Sequence, residues 1–254
     1  MTQSQEDVIA GQFGPRAQAY VESAVHAQGA DLEALRRRLI EAGPQKALDL
    51  GAGGGHVAYL LAAHAREAVA VDLSPDMLRA VAAQAQVRGL ANLATIEAAA
   101  EDLPFADASF DFLASRFSAH HWRDFGAGLR QARRVLRNGA PAIFIDVIAP
   151  GLPLFDTHLQ TIESLRDPSH ARDYALAEWM QALAQARLGV QACQTWRLRM
   201  DFAVWTERMA TPELNRQAIR ALQAAASDET RAYFATERDG SFLLDVAMIE
   251  AKAF

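Results

Sequence analysis

Asp49-Leu50-Gly51-Ala52-Gly53-Gly54-Gly55 is the stretch that decides the fold. It ends the short β-rich run that begins at Lys46, and it leads into Val57, Leu60, Leu61 and His64 at helical spacing. A strand that turns through glycines into a helix is the opening unit of a parallel α/β sheet, and such sheets bind ligands at the carboxyl ends of their strands. Glycines let the backbone enter left-handed dihedrals and let a ligand approach with no Cβ in the way. The spacing separates one cofactor from another. A dinucleotide fingerprint needs its third glycine where this chain has His56, so the pyrophosphate signature is broken. Asp49, just ahead of the glycines, would repel a phosphate, whereas a ligand carrying an ammonium and a sulfonium tolerates that carboxylate.

Outward from the turn, strands and helices alternate. Residues 67–72 read as a second strand, Ser74-Pro75 starts a helix, and Met77, Leu78, Val81 and Ala85 give its buried stripe before Gly89. Asp72 ends that second strand about 20 residues beyond the glycines, where a carboxylate can accept both hydroxyls of a ribose; its other reading is a turn aspartate ahead of Ser74-Pro75. Residues 93–98, 110–115 and 142–148 read as three further strands, with a helix capped by Asp124 and stopped by Asn138-Gly139 before the last. Upstream, Leu32, Leu35, Leu39 and Ile40 share a helix face, with Asp31 as its cap and Gly43-Pro44 as its stop.

After Pro150-Gly151 the rhythm changes. Helical patterns near 155–165 and 176–188 read as an insertion over the sheet, followed by late strands at 192–202 and 241–249 with helices near 212–225 and 228–235 between them. The expected organisation is one domain over 1–254: a helical lid (1–44), a core (45–150), a helical cap (151–188) and closing strands and helices (189–254).

Composition narrows the class. The 254 residues are 51% apolar and 22% charged, as in a globular protein, and the net charge of −6 disfavours nucleic acid as a partner. The arginine clusters at 36–38 and 130–137 lie within helical patterns and read as solvated faces. One cysteine, Cys193, allows no intrachain disulfide and is expected in the core of a late strand. The first residues lack the positive region and apolar run of a signal peptide, and no stretch is long and apolar enough to suggest a membrane span, so a cytoplasmic location is expected.

The glycine turn, together with Val71-Asp72-Leu73-Ser74 and Glu101-Asp102-Leu103-Pro104-Phe105, resembles the class I S-adenosylmethionine (SAM)-dependent methyltransferases, in the type 11 branch related to ubiquinone/menaquinone C-methyltransferases. Ser118-Ala119-His120-His121-Trp122 and Leu165-Arg166-Asp167-Pro168-Ser169-His170 extend the resemblance to an uncharacterised bacterial subgroup. It implies a Rossmann-like α/β fold: a seven-stranded, mostly parallel sheet whose last strand runs antiparallel, helices on both faces, and a helical insertion after the fifth strand. It implies SAM as cofactor and S-adenosylhomocysteine as product. By the same resemblance Gly51, Ala52, Gly53 and Gly55 shape the loop around methionine and ribose, Asp49 lies near the ammonium, Asp72 holds the ribose hydroxyls, and Leu73 and Met77 face adenine. The acidic residue that often receives the adenine amino group falls at Ala99, which leaves the Ala100 backbone and the Glu101 carboxylate as substitutes. Ser115 and Arg116 fall beside the methionine portion. Phe13 and Tyr20 fall in an N-terminal segment that closes over the cofactor. Core packing for Leu73, Met77, Phe13 and Tyr20, a helix-start role for Glu101 and a surface salt bridge for Arg116 stand as the alternatives.

Methyl transfer from a sulfonium is an in-line displacement that needs positioning and at most one base. His120 and His121 are the candidates, since imidazole titrates near neutrality and their loop is expected at the carboxyl edge of the sheet. The alternative is that one caps a short helix and the other packs. No metal is expected, because adjacent histidines diverge and no other ligand has suitable spacing to them. Arg166, His170, Tyr174 and Trp179 could line a pocket for a small-molecule acceptor. A methyltransferase of RNA or protein and a catalytically idle SAM-binding protein are the competing functions, and the chain admits a homodimer without specifying one.

Overall fold

The structure is a computed structural model that describes residues 4–14 and 29–254; Tyr20 lies outside the described residues. Seven strands form one sheet in the order β3-β2-β1-β4-β5-β7-β6. They are β1 (Lys46–Leu50), β2 (Glu67–Asp72), β3 (Leu93–Glu97), β4 (Phe112–Arg116), β5 (Pro141–Val147), β6 (Leu188–Met200) and β7 (Phe242–Ala253). The first five pair in parallel, while β7 runs antiparallel to both β5 and β6. The order reverses between β1 and β4, and the resulting crevice at their carboxyl ends is where open sheets take ligands.

Helices among the described residues are α1 (Gln5–Phe13), α2 (Ala30–Ala42), α3 (His56–His64), α4 (Pro75–Val87), α5 (Phe125–Val135), α6 (Pro153–Arg166), α7 (Leu176–Gln185), α8 (Phe202–Arg208), α9 (Glu213–Ala225) and α10 (Asp228–Tyr233). The expected caps at Ser74 and Asp124 are present: each side chain accepts a hydrogen bond from a backbone N–H three residues on. Strand alternation sorts the core onto two faces. Leu48, Leu50, Val69, Val71 and Phe144 join Leu129 and Trp179 on one, and Ala47, Phe112, Ile143 and Ile145 join Leu35, Leu39, Val57 and Leu61 on the other. A third cluster, with Leu159, Ile162, Trp205, Ile219 and Phe234 over the ends of β5 and β7, anchors the cap.

Four expectations are corrected. Gly29, not Asp31, caps α2; Asp31 lies inside the helix, buried, and pairs with Arg116 on β4. The helix expected to reach Leu188 ends at Gln185, because Arg187 takes a positive φ of 59° and Leu188 already opens β6. Phe202 belongs to a helix that the alternating pattern of 192–202 concealed; Asp201 caps it by accepting from Val204 N. Cys193 is exposed rather than core, since β6 is the edge of the sheet and the middle of this strand is uncovered.

Candidate active site

Two cavities open at the carboxyl edge of the sheet and meet at four residues: Phe13, Arg116, Phe117 and His121. The first, of about 130 Å³, is built on the glycine turn, the tip of β2 and the loop after β3. Gly51, Ala52, Gly53 and Gly54 line it, as do Asp49, Asp72, Leu73, Met77, Ala100, Glu101 and Arg116. Gly53 has a φ of 49°, and a Cβ there would meet nothing within 4 Å, so the turn leaves open space on its inner side. Gly51 is required for a different reason: a Cβ would collide with the Ser118 side chain. Gly55 does not line the cavity. It adopts a φ of 78° at the start of α3, where a Cβ would press on Tyr59 and Val81, so its absence of side chain serves packing.

Two carboxylates define the polarity of this cavity. Asp72 is gripped by backbone: Gly53 N donates to Oδ2 at 2.8 Å and Ser74 N donates to Oδ1 at 2.9 Å. Each oxygen keeps a lone pair, the arrangement needed to accept a pair of vicinal hydroxyls, and burial raises its pKa. Asp49 is buried beside it, with Oδ2 lacking any hydrogen-bond partner. Burial, reinforced by the nearby Asp72 charge, pushes the Asp49 carboxyl up to about 8. An unpartnered carboxylate at a cavity wall is costly unless a cation meets it. Glu101 donates nothing but accepts from Asp124 N at 3.0 Å, leaving its second oxygen available. This cradle fits SAM: an open glycine turn, a carboxylate free for an ammonium and a second set up for a ribose.

Of the other expected cofactor residues, Ala99 lies between the lining residues Ala98 and Ala100 without lining the cavity itself, and Ser115 is buried and lines neither cavity. Arg116 reaches both cavities while paired with Asp31; both side chains are buried. Phe13 lines both as well, its ring edge-on to His121 at 5.1 Å.

The second cavity, of about 280 Å³, lies under the cap. Trp196, Leu198, Met200, Leu244, Trp205 and Met209 form an apolar wall, and Glu163, Arg166, Asp167, Asp173, His120 and Arg208 a polar one. Arg166 is in this wall, tied to Glu163 at 2.9 Å and donating from Nε to Trp205 O at 3.1 Å. Tyr174 and Trp179 line neither cavity and are corrected to core: Tyr174 stacks on Phe125 at 4.0 Å, and Trp179 meets the same ring edge-on at 4.6 Å, because α7 packs against α5. His170 is also outside the lining. It contacts Gln160 Oε1 through Nε2 at 3.0 Å and stands 5.9 Å, ring to ring, from His120.

His120 and His121 lie on a short 3₁₀ turn, Ala119–His121, directly after β4, with ring centroids 4.2 Å apart. His120 lines only the second cavity and His121 lines both. His120 Nδ1 meets Asp146 Oδ1 at 2.6 Å. Burial alone would lower this imidazole, but the charge and hydrogen bond of Asp146 outweigh it, helped by Asp173 and Glu163, and hold it at about 9. His121 Nδ1 lies 3.1 Å from Ser169 O, and burial together with the His120 charge pushes its pKa down. Among the described residues no group of histidines, cysteines and carboxylates is arranged to hold a metal ion.

Several residues in or behind the cavity walls escaped the sequence reading. Asp146, which holds His120 from behind and lines neither cavity, had a signal: it is the one charge in the apolar strand Pro141–Val147. Phe117 has a φ of 51°, a left-handed conformation that bulky residues rarely adopt, and nothing in the sequence foretold it. Asp31, Trp205 and Arg208 come from distant segments and carry no local motif.

Comparison with known proteins agrees with this geometry. A model of the methyltransferase domain family matches residues 48–144. The uncharacterized protein YafE of Escherichia coli is 48% identical over 72% of this chain and 88% of its own length. The uncharacterized methyltransferase YcgJ of Bacillus subtilis is 33% identical over 87% of this chain and 88% of its own. The crystal structure of YcgJ superposes with a TM-score of 0.84 at 31% identity, over 87% of this chain and 97% of that one. The malonyl-[acyl-carrier protein] O-methyltransferase of Pseudescherichia vulneris is 30% identical over 77% of this chain and 74% of its own. Motifs, sheet order, site geometry and relatives thus converge, and the chain belongs to the class I SAM-dependent methyltransferases.

Proposed function

We propose that the protein methylates a small molecule held in the second cavity, with SAM in the first and the two meeting at His121. The observation that carries this reading is the junction itself: a mostly apolar chamber of about 280 Å³ under the cap shares Phe13, Arg116, Phe117 and His121 with the cofactor cavity. A chamber of that kind takes a compact, partly apolar ligand, not a polymer segment. The net charge of −6 also disfavours RNA as the acceptor.

SAM, when bound, supplies a methyl group on a positively charged sulfur. The chain contributes the rest. Asp49 and Asp72 orient the cofactor from the sheet side, and Glu101 offers one carboxylate oxygen on the adenine side. The apolar wall of Trp196, Leu198, Met200 and Trp205 excludes water from the acceptor, which shortens the search for an in-line approach. His121, at the junction, is the base.

Incubation of the protein with methyl-labelled SAM and a bacterial extract tests the reading. Label in the small-molecule fraction, dependent on the protein, is the expected result. Label confined to RNA or protein would assign the acceptor to another class. SAM binding with no labelled product in any fraction would make the chain an idle binder.

A further inference from the structure

The carboxylates in the wall of the second cavity are Asp31, Glu163, Asp167 and Asp173, and three of the four are held by partners. Asp31 pairs with Arg116, and Glu163 pairs with Arg166 at 2.9 Å. Asp167 Oδ1 accepts from Ser169 N at 2.8 Å and from the Ser169 hydroxyl at 2.6 Å. Asp173, in the loop after α6, is the exception. The residue is 1% exposed, its Oδ2 is covered without a hydrogen-bond partner, and no hydrogen bond reaches Oδ1 among the described residues. The nearest basic nitrogen among those residues, His170 Nε2, stands 3.9 Å from Oδ2 and is engaged with Gln160 Oε1 at 3.0 Å.

This side chain is nevertheless firmly placed. Asp173 N donates to Gln160 Oε1 at 3.1 Å and Asp173 O accepts from Gln160 Nε2 at 2.8 Å, so one side chain of α6 fixes both backbone groups of the residue. Gln160 Nε2 also donates to Asp156 Oδ1 at 2.9 Å, which sets the orientation of the amide. A buried carboxylate with neither a donor nor a cation is costly. Burial, with Glu163 on α6 and Asp146 on β5 opposing the charge, raises its pKa well above the usual carboxylate range, although His120 after β4 and Arg166 on α6 favour the charged form. A cation bound from the cavity side would remove that penalty.

The chemistry of such a ligand is narrow. A hydroxyl would meet one oxygen and leave the charge uncompensated, whereas a protonated amine supplies donors and the opposite charge together, in bonds about twice as strong as neutral ones. An anionic group would be repelled, since the four carboxylates outnumber the guanidiniums of the wall, Arg116, Arg166 and Arg208. Asp173 lines the second cavity only, so a group bound to it lies away from the junction with the cofactor cavity.

We propose that the acceptor is an amine and that Asp173 selects it, binding the protonated amino group as an anchor while a different atom of the molecule is presented at the junction for methylation. Asp173 is then a specificity-determining residue. The apolar body of the acceptor lies along Trp196, Leu198 and Met200, and the amino group is not the atom methylated. The inference rests on the proposed acceptor site.

Binding of small amines to the full chain near neutral pH tests it without turnover. Phenethylamine, cyclohexylamine and tryptamine, each beside the alcohol of the same skeleton, are titrated into the wild type, Asp173→Asn and Leu198→Trp. At least one amine should bind ~10-fold or more tightly than its alcohol. Asp173→Asn keeps the shape and removes the charge; it should bring that amine down to its alcohol and leave the affinities for the alcohol and for SAM unchanged. If this variant does not fold, Asp173→Ser carries the same comparison. Leu198→Trp should weaken both members of the pair. No amine preferred over its alcohol, a preference that survives loss of the carboxylate, or binding untouched by Leu198→Trp would each overturn the proposal. Transfer from methyl-labelled SAM is read separately: a labelled product without an amino group would end the amine assignment and leave the proposed function standing, whereas amine preference with no labelled product would end the proposed function and leave the amine site.

Discussion

The two cavities are walled by different parts of the protein. The cofactor cavity is built on the backbone of a glycine turn, with Asp49 and Asp72 beside it, the second clamped by main-chain N–H groups. The second cavity, proposed to hold the acceptor, draws most of its side chains from β6, β7, α6 and α8, elements far apart in sequence. Main-chain cradles admit few substitutions, because their geometry follows from φ and ψ and not from side-chain choice. Side-chain walls can be rebuilt residue by residue. A fold can therefore keep one cofactor while its acceptor changes, as is common where a site is grafted onto a shared scaffold.

The largest effect should come from blocking the backbone cradle. Gly53→Arg fills the open side of the turn, and calorimetry should show SAM binding abolished; SAM binding at wild-type strength would remove the turn from the cofactor site. Next in size is the junction. His121→Ala should lower turnover by ~10²–10⁴-fold with SAM affinity nearly unchanged, whereas His120→Ala should act mainly on acceptor binding. A histidine needed only for structure would instead lower melting temperature and both activities together, and full turnover in the double variant would leave positioning alone as the mechanism.

A smaller effect is expected at Asp72. Its replacement by Ala should weaken SAM binding by ~1–3 kcal/mol if the buried carboxylate pairs with hydroxyls, measured by the same titration; a negligible change would reduce it to a turn residue. The subtlest effect is at Asp49, whose carboxyl moves from 3.8 to about 8 because burial disfavours its charge. Between those values the folded protein keeps a proton that the unfolded chain loses, so this group makes unliganded stability fall as pH rises through that window. A bound ammonium reverses the preference. SAM binding near neutral pH should thus release a proton and tighten as pH climbs toward about 8, detectable by calorimetry in buffers of different ionisation enthalpy. Asp49→Asn should abolish the proton release.

How far the sequence disclosed this molecule follows the same division. The turn at 49–55, Asp72 and the five parallel strands are local patterns, in which each element is specified by neighbours in the chain, and the structure has the turn after β1, Asp72 at the end of β2 and the five strands in parallel. The second cavity depends on tertiary pairings that no window contains. Asp31 reads as a helix cap until α2 is seen against β4, where Arg116 claims it. Tyr174 and Trp179 have the chemistry of pocket walls, but the packing of α7 on α5 turns them into core. Cys193 reads as a buried residue of an alternating strand, and only the sheet order shows that this strand is an edge.

The separation of the two cavities is the claim on which the rest depends, and Leu198→Trp tests it most directly. Leu198 lines the second cavity and not the first, so a larger ring there takes acceptor space and leaves the glycine turn alone. SAM affinity and methyl transfer should be measured on the same preparation. The account predicts SAM affinity within about twofold of wild type and transfer reduced by about tenfold or more, a loss of at least ~1.4 kcal/mol. Transfer at the wild-type rate, or SAM affinity lost in step with transfer, would contradict it.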